Sequence, residues 1–482
     1  MCSADLWINN LKTMKKLFLS LIILFTASVS FAQSIDGDWY GVLSFSGKKL
    51  NTAFHITRSA DGFTATMDSP DQGAMGLPMD KVSFKDNHLM IEFTQAKLTY
   101  QGTFVPDSNI INGKFEQGGV VLLLNLGRDK TSQKPADPGR PQDPKSFNYK
   151  REEVMFNNTK GGNQLAGTLT LPATGKVSKI VILISGSGPQ NRDEEVLQFN
   201  HRPFLVWSDW LTKNGIGVLR YDDRGVGKST GSFNEATTAD FADDAEAAVN
   251  YIKSRADLKG LSIGLMGHSE GGMIAPMVAS RNKDIKFTVL LAAPGIPVAE
   301  LMVQQNEDLL RSVGGADSVI TVSKRMNAHI YGLISANSKL PASELKTKME
   351  ATLIQDFKSY PAFIFGGQPI EQFVKGITLP LTQPWMRYFI NFSPVDYLLK
   401  LKCPTLALNG TLDVQVRASS NLNGIKSALE KGGNKKFEIV SMPGLNHLLQ
   451  KAVTGLPAEY VKITETVNPA ALTKVSTWIN AL

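Results

Sequence analysis

The 482-residue sequence predicts an α/β protein: a mostly parallel sheet wound with helices on both faces, interrupted by a helical cap, and preceded by a small all-β domain, barrel or sandwich. Three observations predict it. Beyond residue 147, short apolar runs alternate with helix-compatible stretches, the pattern of strand, crossover helix and parallel strand. From about residue 296 to 391 strand signals fade and helical spacing takes over. Residues 34–128 carry only short runs of period-two alternation. At 42% hydrophobic and 20% charged the chain has a globular composition, and its length exceeds what one core usually serves.

The N-terminus reads as a secretory signal peptide over residues 1–32. Lys15 and Lys16 precede the apolar run Leu17–Phe25, and Ser30-Phe31-Ala32 ends the segment with a small residue where a signal peptidase cuts. The run is too short for a permanent transmembrane helix, so the expectation is an exported chain, periplasmic or secreted, with no integral membrane segment after cleavage. Cys2 falls in that segment, leaving Cys403 alone and excluding an intramolecular disulfide in the mature chain. The segment also carries three lysines against Asp5, so +5 of the formal +7 belongs to the rest. So small an excess without basic clusters predicts no nucleic-acid partner.

In the β-rich domain, Trp39, Gly41, Leu43 and Phe45 share one parity, as do Leu98, Tyr100, Gly102 and Phe104. Each run therefore presents one apolar face. Residues 129–146 follow as a linker, with Pro135, Pro138, Pro141 and Pro144 three apart. This matches polyproline II and predicts a semi-rigid spacer of up to about 50 Å.

Residues 147–482 hold the chemistry. Gly267-His268-Ser269-Glu270-Gly271 is a Gly-x-Ser-x-Gly pentapeptide between an apolar strand and a helix-compatible run, the layout that lifts a Ser hydroxyl above a sheet on a strained turn. A Ser hydroxyl is a weak nucleophile until a base removes its proton, so a His and an orienting carboxylate must accompany Ser269. Strand–turn–helix nucleophiles run Ser, acid, His in chain order. Asp413 lies just past the run Thr405–Leu408, and His447 follows the next strand, Phe437–Ser441. Among the six histidines, His55, His88, His201 and His268 precede the expected base position and His329 lies in the cap. Asp396 competes for the acid role but precedes its strand.

The developing oxyanion needs donors. The N–H of Glu270 is one; Ser185-Gly186-Ser187-Gly188-Pro189, after the strand Ile180–Ile184, supplies the other through Ser187, with Gly188 the alternative. Gly186, Gly188, Arg192, His268 and Trp385 are candidate substrate-binding residues. Acidic Glu194 and Glu195 could line the pocket mouth or form a solvated helix start. Gly225-Val-Gly-Lys-Ser229 lacks the first glycine of a phosphate-binding loop, since position 222 is Asp; Asp222 and Arg224 read as braces of a turn. No His, Cys or carboxylate cluster has metal-ligand spacing, so neither metal nor other cofactor is expected.

The phrases Ser185-Gly-Ser-Gly-Pro-Gln-Asn-Arg-Asp193, Arg220-Tyr-Asp-Asp-Arg-Gly-Val-Gly-Lys-Ser229 and Gly267-His-Ser-Glu-Gly-Gly272 together resemble the α/β-hydrolase superfamily, in particular bacterial exported carboxylesterases of the serine aminopeptidase-like and acyl-CoA thioesterase-like branch. The resemblance implies hydrolysis of a small-molecule acyl ester through an acyl-enzyme. Two rival expectations are a peptidase acting on peptide N-termini, with Glu194 or Glu195 pairing the α-amine, and a glycan- or lipid-binding role for the β-rich domain with hydrolysis secondary.

Overall fold

The computed structural model describes residues 35–45, 48–59, 62–117, 120–129, 140–175, 177–196 and 199–482. The signal segment 1–32 and the linker prolines Pro135 and Pro138 lie outside them. The chain forms two compact units that part at Asp137–Pro138.

The first unit is one antiparallel sheet. Its strands are β1 (Gly37–Phe45), β2 (Lys48–Ser59), β3 (Gly62–Ser69), β4 (Ala74–Pro78), β5 (Lys81–Lys85), β6 (His88–Phe93), β7 (Leu98–Val105), β8 (Ile110–Gln117), β9 (Val120–Leu123) and β10 (Leu126–Gly127). They run in the order β4-β3-β2-β1-β10-β8-β7-β6-β5, with β9 paired to β8. The sheet curls on itself: Phe63 of β3 and Phe84 of β5, on opposite arms of that order, meet edge to face at 6.0 Å. It is thus barrel-like, not a sandwich of two layers. The alternation read from β7 puts Leu98, Tyr100 and Phe104 inside with Trp39 and Phe54, each burial worth roughly 1.5–3 kcal/mol. Arg128 closes over the Trp39 ring at 3.8 Å, a cation–π contact.

The second unit is an eight-stranded sheet in the order β11-β12-β14-β13-β15-β16-β17-β18. The strands are β11 (Lys150–Asn158), β12 (Asn163–Leu171), β13 (Lys179–Ile184), β14 (Gly217–Tyr221), β15 (Ser262–His268), β16 (Ile285–Leu291), β17 (Thr405–Gly410) and β18 (Phe437–Met442). The hairpin β11–β12 joins β14 antiparallel, and every pairing from β14 to β18 is parallel. Helices α1 (Pro203–Lys213), α2 (Thr238–Ser254) and α3 (Gly271–Arg281) make the first crossovers. The cap between β16 and β17 comprises α4 (Val298–Ser312), α5 (Asp317–Ala336), α6 (Ala342–Asp356), α7 (Ile370–Leu381) and α8 (Pro384–Ile390), followed by the short α9 (Val395–Leu398); α10 (Ala418–Lys431) and α11 (Pro469–Ala481) complete the unit. The apolar run of β13 serves both faces of the sheet. Ile180, Ile182 and Ile184 pack with α2, α3 and α10, while Val181 and Leu183 pack with α1 and α11. The cap carries a core of its own around Ile334, Leu353 and Phe357. Among the described residues no helix is long and apolar enough to cross a membrane.

The linker expectation needs correction at its C-terminal end. Arg140 is buried, and its guanidinium donates to Thr466 Oγ1 at 3.1 Å and to the carbonyl oxygens of Phe199 at 3.0 Å and Glu465 at 2.7 Å. Gln142 Nε2 adds a bond to the Val467 carbonyl at 2.7 Å. Residues 140–143 are therefore built into the second unit and do not act as a spacer.

Candidate active site

Ser187, Ser269, Glu270, Asp413 and His447 follow the ends of β13, β15, β17 and β18, the carboxyl edge at which open α/β sheets hold ligands. Ser269 occupies the turn from β15 to α3 with φ +53°, a left-handed conformation costing a non-glycine residue on the order of 1–3 kcal/mol. The surrounding sequence holds that strain. The Ser269 N–H donates to the Leu291 carbonyl at 2.9 Å and the Gly272 N–H to the Ser269 carbonyl at 2.9 Å. A Cβ on Gly267 would stand 1.9 Å from the Gly271 oxygen, and one on Gly271 2.1 Å from the Ile184 oxygen, so only glycine lets the turn close against the sheet.

Asp413 and His447 meet as a buried pair. His447 Nδ1 lies 2.8 Å from Asp413 Oδ2, and Asp413 Oδ1 accepts the N–H groups of Gln415 and Val416, both at 2.8 Å. The carboxylate is thereby held in one orientation against Nδ1, and Nε2 has no protein partner among the described residues. Ser269 and His447 line the same cavity, of about 470 Å³; no hydrogen bond joins their side chains among the described residues. The expected oxyanion donors are unoccupied: neither the Ser187 nor the Glu270 N–H has a partner among the described residues. The neighbouring Gly186 N–H, in contrast, donates to Glu194 Oε1 at 2.7 Å.

The loop carrying Ser187 is pinned by two acidic residues. Asp223 accepts the Ser185 hydroxyl at 2.8 Å and the Gln190 N–H at 2.9 Å; burial pushes its carboxyl well above the ordinary range. Glu194 is buried, with φ +50°, and faces His268 Nδ1 at 2.8 Å. His268 Nε2 in turn donates to the His447 carbonyl at 3.0 Å. Burial alone would lower the His268 pKa, but the Glu194 charge and hydrogen bond outweigh it and hold it above the ordinary value.

Glu270 contributes a side chain as well as an amide. Its carboxyl accepts from Thr238 Oγ1 at 2.6 Å, from Trp385 Nε1 of the cap at 2.9 Å, and from the Ser187 hydroxyl. Burial raises its pKa against those bonds. Trp385 stacks on Phe389 at 4.8 Å. Both line the cavity with Met302, Met386 and Tyr460, so the walls facing Ser269 are largely apolar.

Of the candidate substrate-binding residues, Gly186, His268 and Trp385 line this cavity. Gly188 does not; it turns the loop at φ +100°. Arg192 requires correction, because its guanidinium is spent on Asp222 (Nε–Oδ1 3.0 Å, Nη2–Oδ2 2.7 Å), Thr168 and Glu153. It braces the sheet edge, and Asp222 is its partner. Arg224 likewise pairs with Asp244 at 2.6 Å. Asp396 lies apart, against Tyr388 and Tyr397. The structural parts of Asp223 and Glu194, and the wall residues Met302 and Tyr460, were missed by sequence reasoning. Of these, Glu194 carries a signal as one acidic residue in Arg192-Asp193-Glu194-Glu195, and Asp223 as part of the phrase Arg220-Tyr-Asp-Asp-Arg-Gly-Val-Gly-Lys-Ser229.

The crossover pattern, the strained serine turn and the cap between β16 and β17 are those of the α/β-hydrolase fold. Residues 204–345 match the family model described as serine aminopeptidase, S33. The chain is similar to esterase EstD of Thermotoga maritima, 25% identical over 385 residues that span 76% of this chain and 78% of that protein. It is also similar to the bifunctional esterase/perhydrolase DCH of Acinetobacter calcoaceticus, 25% identical over 280 residues, 53% of this chain and 86% of that protein. Among solved structures, the Pyrococcus furiosus esterase Pf2001 aligns with 69% of this chain and 93% of its own at 17% identity and a TM-score of 0.39.

Proposed function

We propose that the protein is a serine carboxylesterase acting on small acyl esters, exported from the cytoplasm by its N-terminal segment. The Asp413–His447 bond carries the reading, because it leaves one histidine nitrogen free in the cavity that Ser269 enters. Ser269 Oγ attacks the ester carbonyl as His447 Nε2 takes its proton. The Ser187 and Glu270 amides receive the oxyanion, a contribution usually worth about 10²–10³ in rate per donor. His447 returns the proton to the leaving alcohol; water, deprotonated by the same nitrogen, then attacks the acyl-enzyme and releases the acid. Apolar walls at Met302, Trp385, Met386 and Phe389 suit an uncharged acyl group.

The matched family description favours one rival, hydrolysis at peptide N-termini. That chemistry needs a carboxylate free to meet an α-amine. Glu194 is engaged by His268 and Gly186, Glu195 accepts from Asn191 at 3.0 Å, and Glu270 already takes three donors. The esterase reading is therefore preferred. Parallel assays with p-nitrophenyl acyl esters and aminoacyl anilides test it: ester hydrolysis should dominate and fall about 10³-fold or more in Ser269→Ala. Preference for the anilides, or full ester activity in Ser269→Ala, would displace it.

A further inference from the structure

We infer that His268 and Glu194 are positioning residues of the same reaction: a buried imidazolium–carboxylate strut that sets the oxyanion loop against the loop of the general base. The inference rests on the esterase reading for its kinetic consequences, but its structural basis is separate.

Both ring nitrogens of His268 face acceptors. Nε2 meets the His447 carbonyl oxygen, which can only accept, so Nε2 carries a proton. Nδ1 meets Glu194 Oε1, and that same oxygen already accepts the Gly186 N–H. An ionised Glu194 with two donors on one oxygen, beside an imidazole that must donate at Nε2, satisfies every group only if His268 is doubly protonated. Beside an ionised Glu194, a neutral ring would leave one nitrogen lone pair against an acceptor in a site where both residues are nearly sealed, at 10% and 7% side-chain exposure.

The resulting chain of bonds runs from the Gly186 N–H through Glu194 and His268 to the His447 carbonyl. One end is the residue before the oxyanion donor Ser187; the other is the backbone of the base itself. Gly186 is committed to Glu194, while Ser187 lines the cavity and its N–H has no partner among the described residues. Holding the His447 carbonyl fixes the base loop from beneath, while Asp413 fixes the ring from the side. Misplacing such groups by about 1 Å typically costs on the order of 10² in rate.

The charged and titratable groups around His268 are few. Glu194 pairs with it directly, Asp413 adds a more distant negative charge, and the His447 ring stands 4.9 Å away between centroids. Burial pushes His201 down to about 3, so that ring stays neutral. Raising the pH removes the His268 proton, breaks one end of the strut and misaligns the two loops. Activity therefore carries an alkaline limb set by His268.

Two measurements on the full chain test this. Nitrogen-15 NMR of histidine-labelled protein, with His268 assigned from His268→Asn, should give two protonated ring nitrogens at pH 7. A neutral His268 at that pH overturns the inference whatever the enzyme hydrolyses. In Glu194→Gln, kcat on a p-nitrophenyl ester should fall about 10–10²-fold with KM within about threefold, and the alkaline limb should move to lower pH by about one unit or more. Glu194→Asp should restore part of kcat and return the limb toward its original position. Wild-type kcat and an unmoved limb in folded Glu194→Gln overturn the positioning role; absence of ester hydrolysis from the wild-type chain would count against the esterase reading alone.

Discussion

Two histidine–carboxylate pairs lie side by side under one cavity, each with a 2.8 Å contact to Nδ1 and each withdrawn from solvent. They differ in what the second nitrogen meets. At His447 no protein acceptor ties Nε2 among the described residues; at His268 it is bound to a carbonyl. Under the proposed function the first ring exchanges a proton and the second keeps one. Histidine chemistry here follows from the partner of Nε2, since the carboxylate at Nδ1 is common to both pairs.

The largest effect should come from removing the free nitrogen. His447→Ala is expected to lower kcat about 10⁴-fold or more, measured by steady-state hydrolysis of a short-chain p-nitrophenyl ester. Asp413→Asn comes next, at about 10³–10⁴, because an amide in place of the carboxylate favours the wrong tautomer while leaving the shape intact. Changes of similar size at both pairs would break the distinction between them.

Stability should reverse the ranking. His268 has its pKa raised above the ordinary 6.5, so its contribution is complete below about pH 6.5 and is lost as pH rises through the raised value. Glu194→Gln should melt several degrees below wild type at pH 6, since stripping one partner from a buried pair costs roughly 3 kcal/mol, and the gap should narrow at alkaline pH. Calorimetry from pH 5.5 to 9 checks this.

Arg192 sharpens the contrast from outside the cavity. Asp222, despite burial, is held below its ordinary value by the bonds and charge of Arg192. Its contribution is therefore present above about pH 3.8 and is lost as pH falls through the depressed value. Arg192→Ala should destabilise the fold by roughly 2–3 kcal/mol at neutral pH and leave KM within about twofold, read by denaturant melts and kinetics. The smallest effect is expected for Trp385→Phe, which removes the Nε1 donor to Glu270 but keeps the ring. It should lower kcat/KM about three- to tenfold, consistent with one lost charge-assisted bond in a partly screened site.

The sequence made one pair readable and hid the other. Ser269 announces itself through flanking glycines that the turn requires, and chain order then points to Asp413 and His447. Glu194 sits in an acidic stretch that looks solvated. Only its left-handed backbone and a partner 74 residues away turn it inward. Arg192 looked available to substrate because Asp222, 30 residues on, is no neighbour in the sequence. The proline spacing before residue 147 predicts a stiff spacer, and Pro135 and Pro138 lie outside the described residues. Its end at Arg140 is decided by bonds to residues 463–467, which no local pattern carries. What stays hidden is the set of long-range polar pairings.

In the proposed reaction Ser269 is activated by His447, the histidine with the free nitrogen. Labelling with a fluorophosphonate followed by peptide mapping tests it directly. Wild type should carry a single adduct on Ser269; His447→Ala should label at least about 10³-fold more slowly, while His268→Asn should still label Ser269 at a lesser penalty. An adduct on Ser185 or Ser187, or undiminished labelling of His447→Ala, would contradict it.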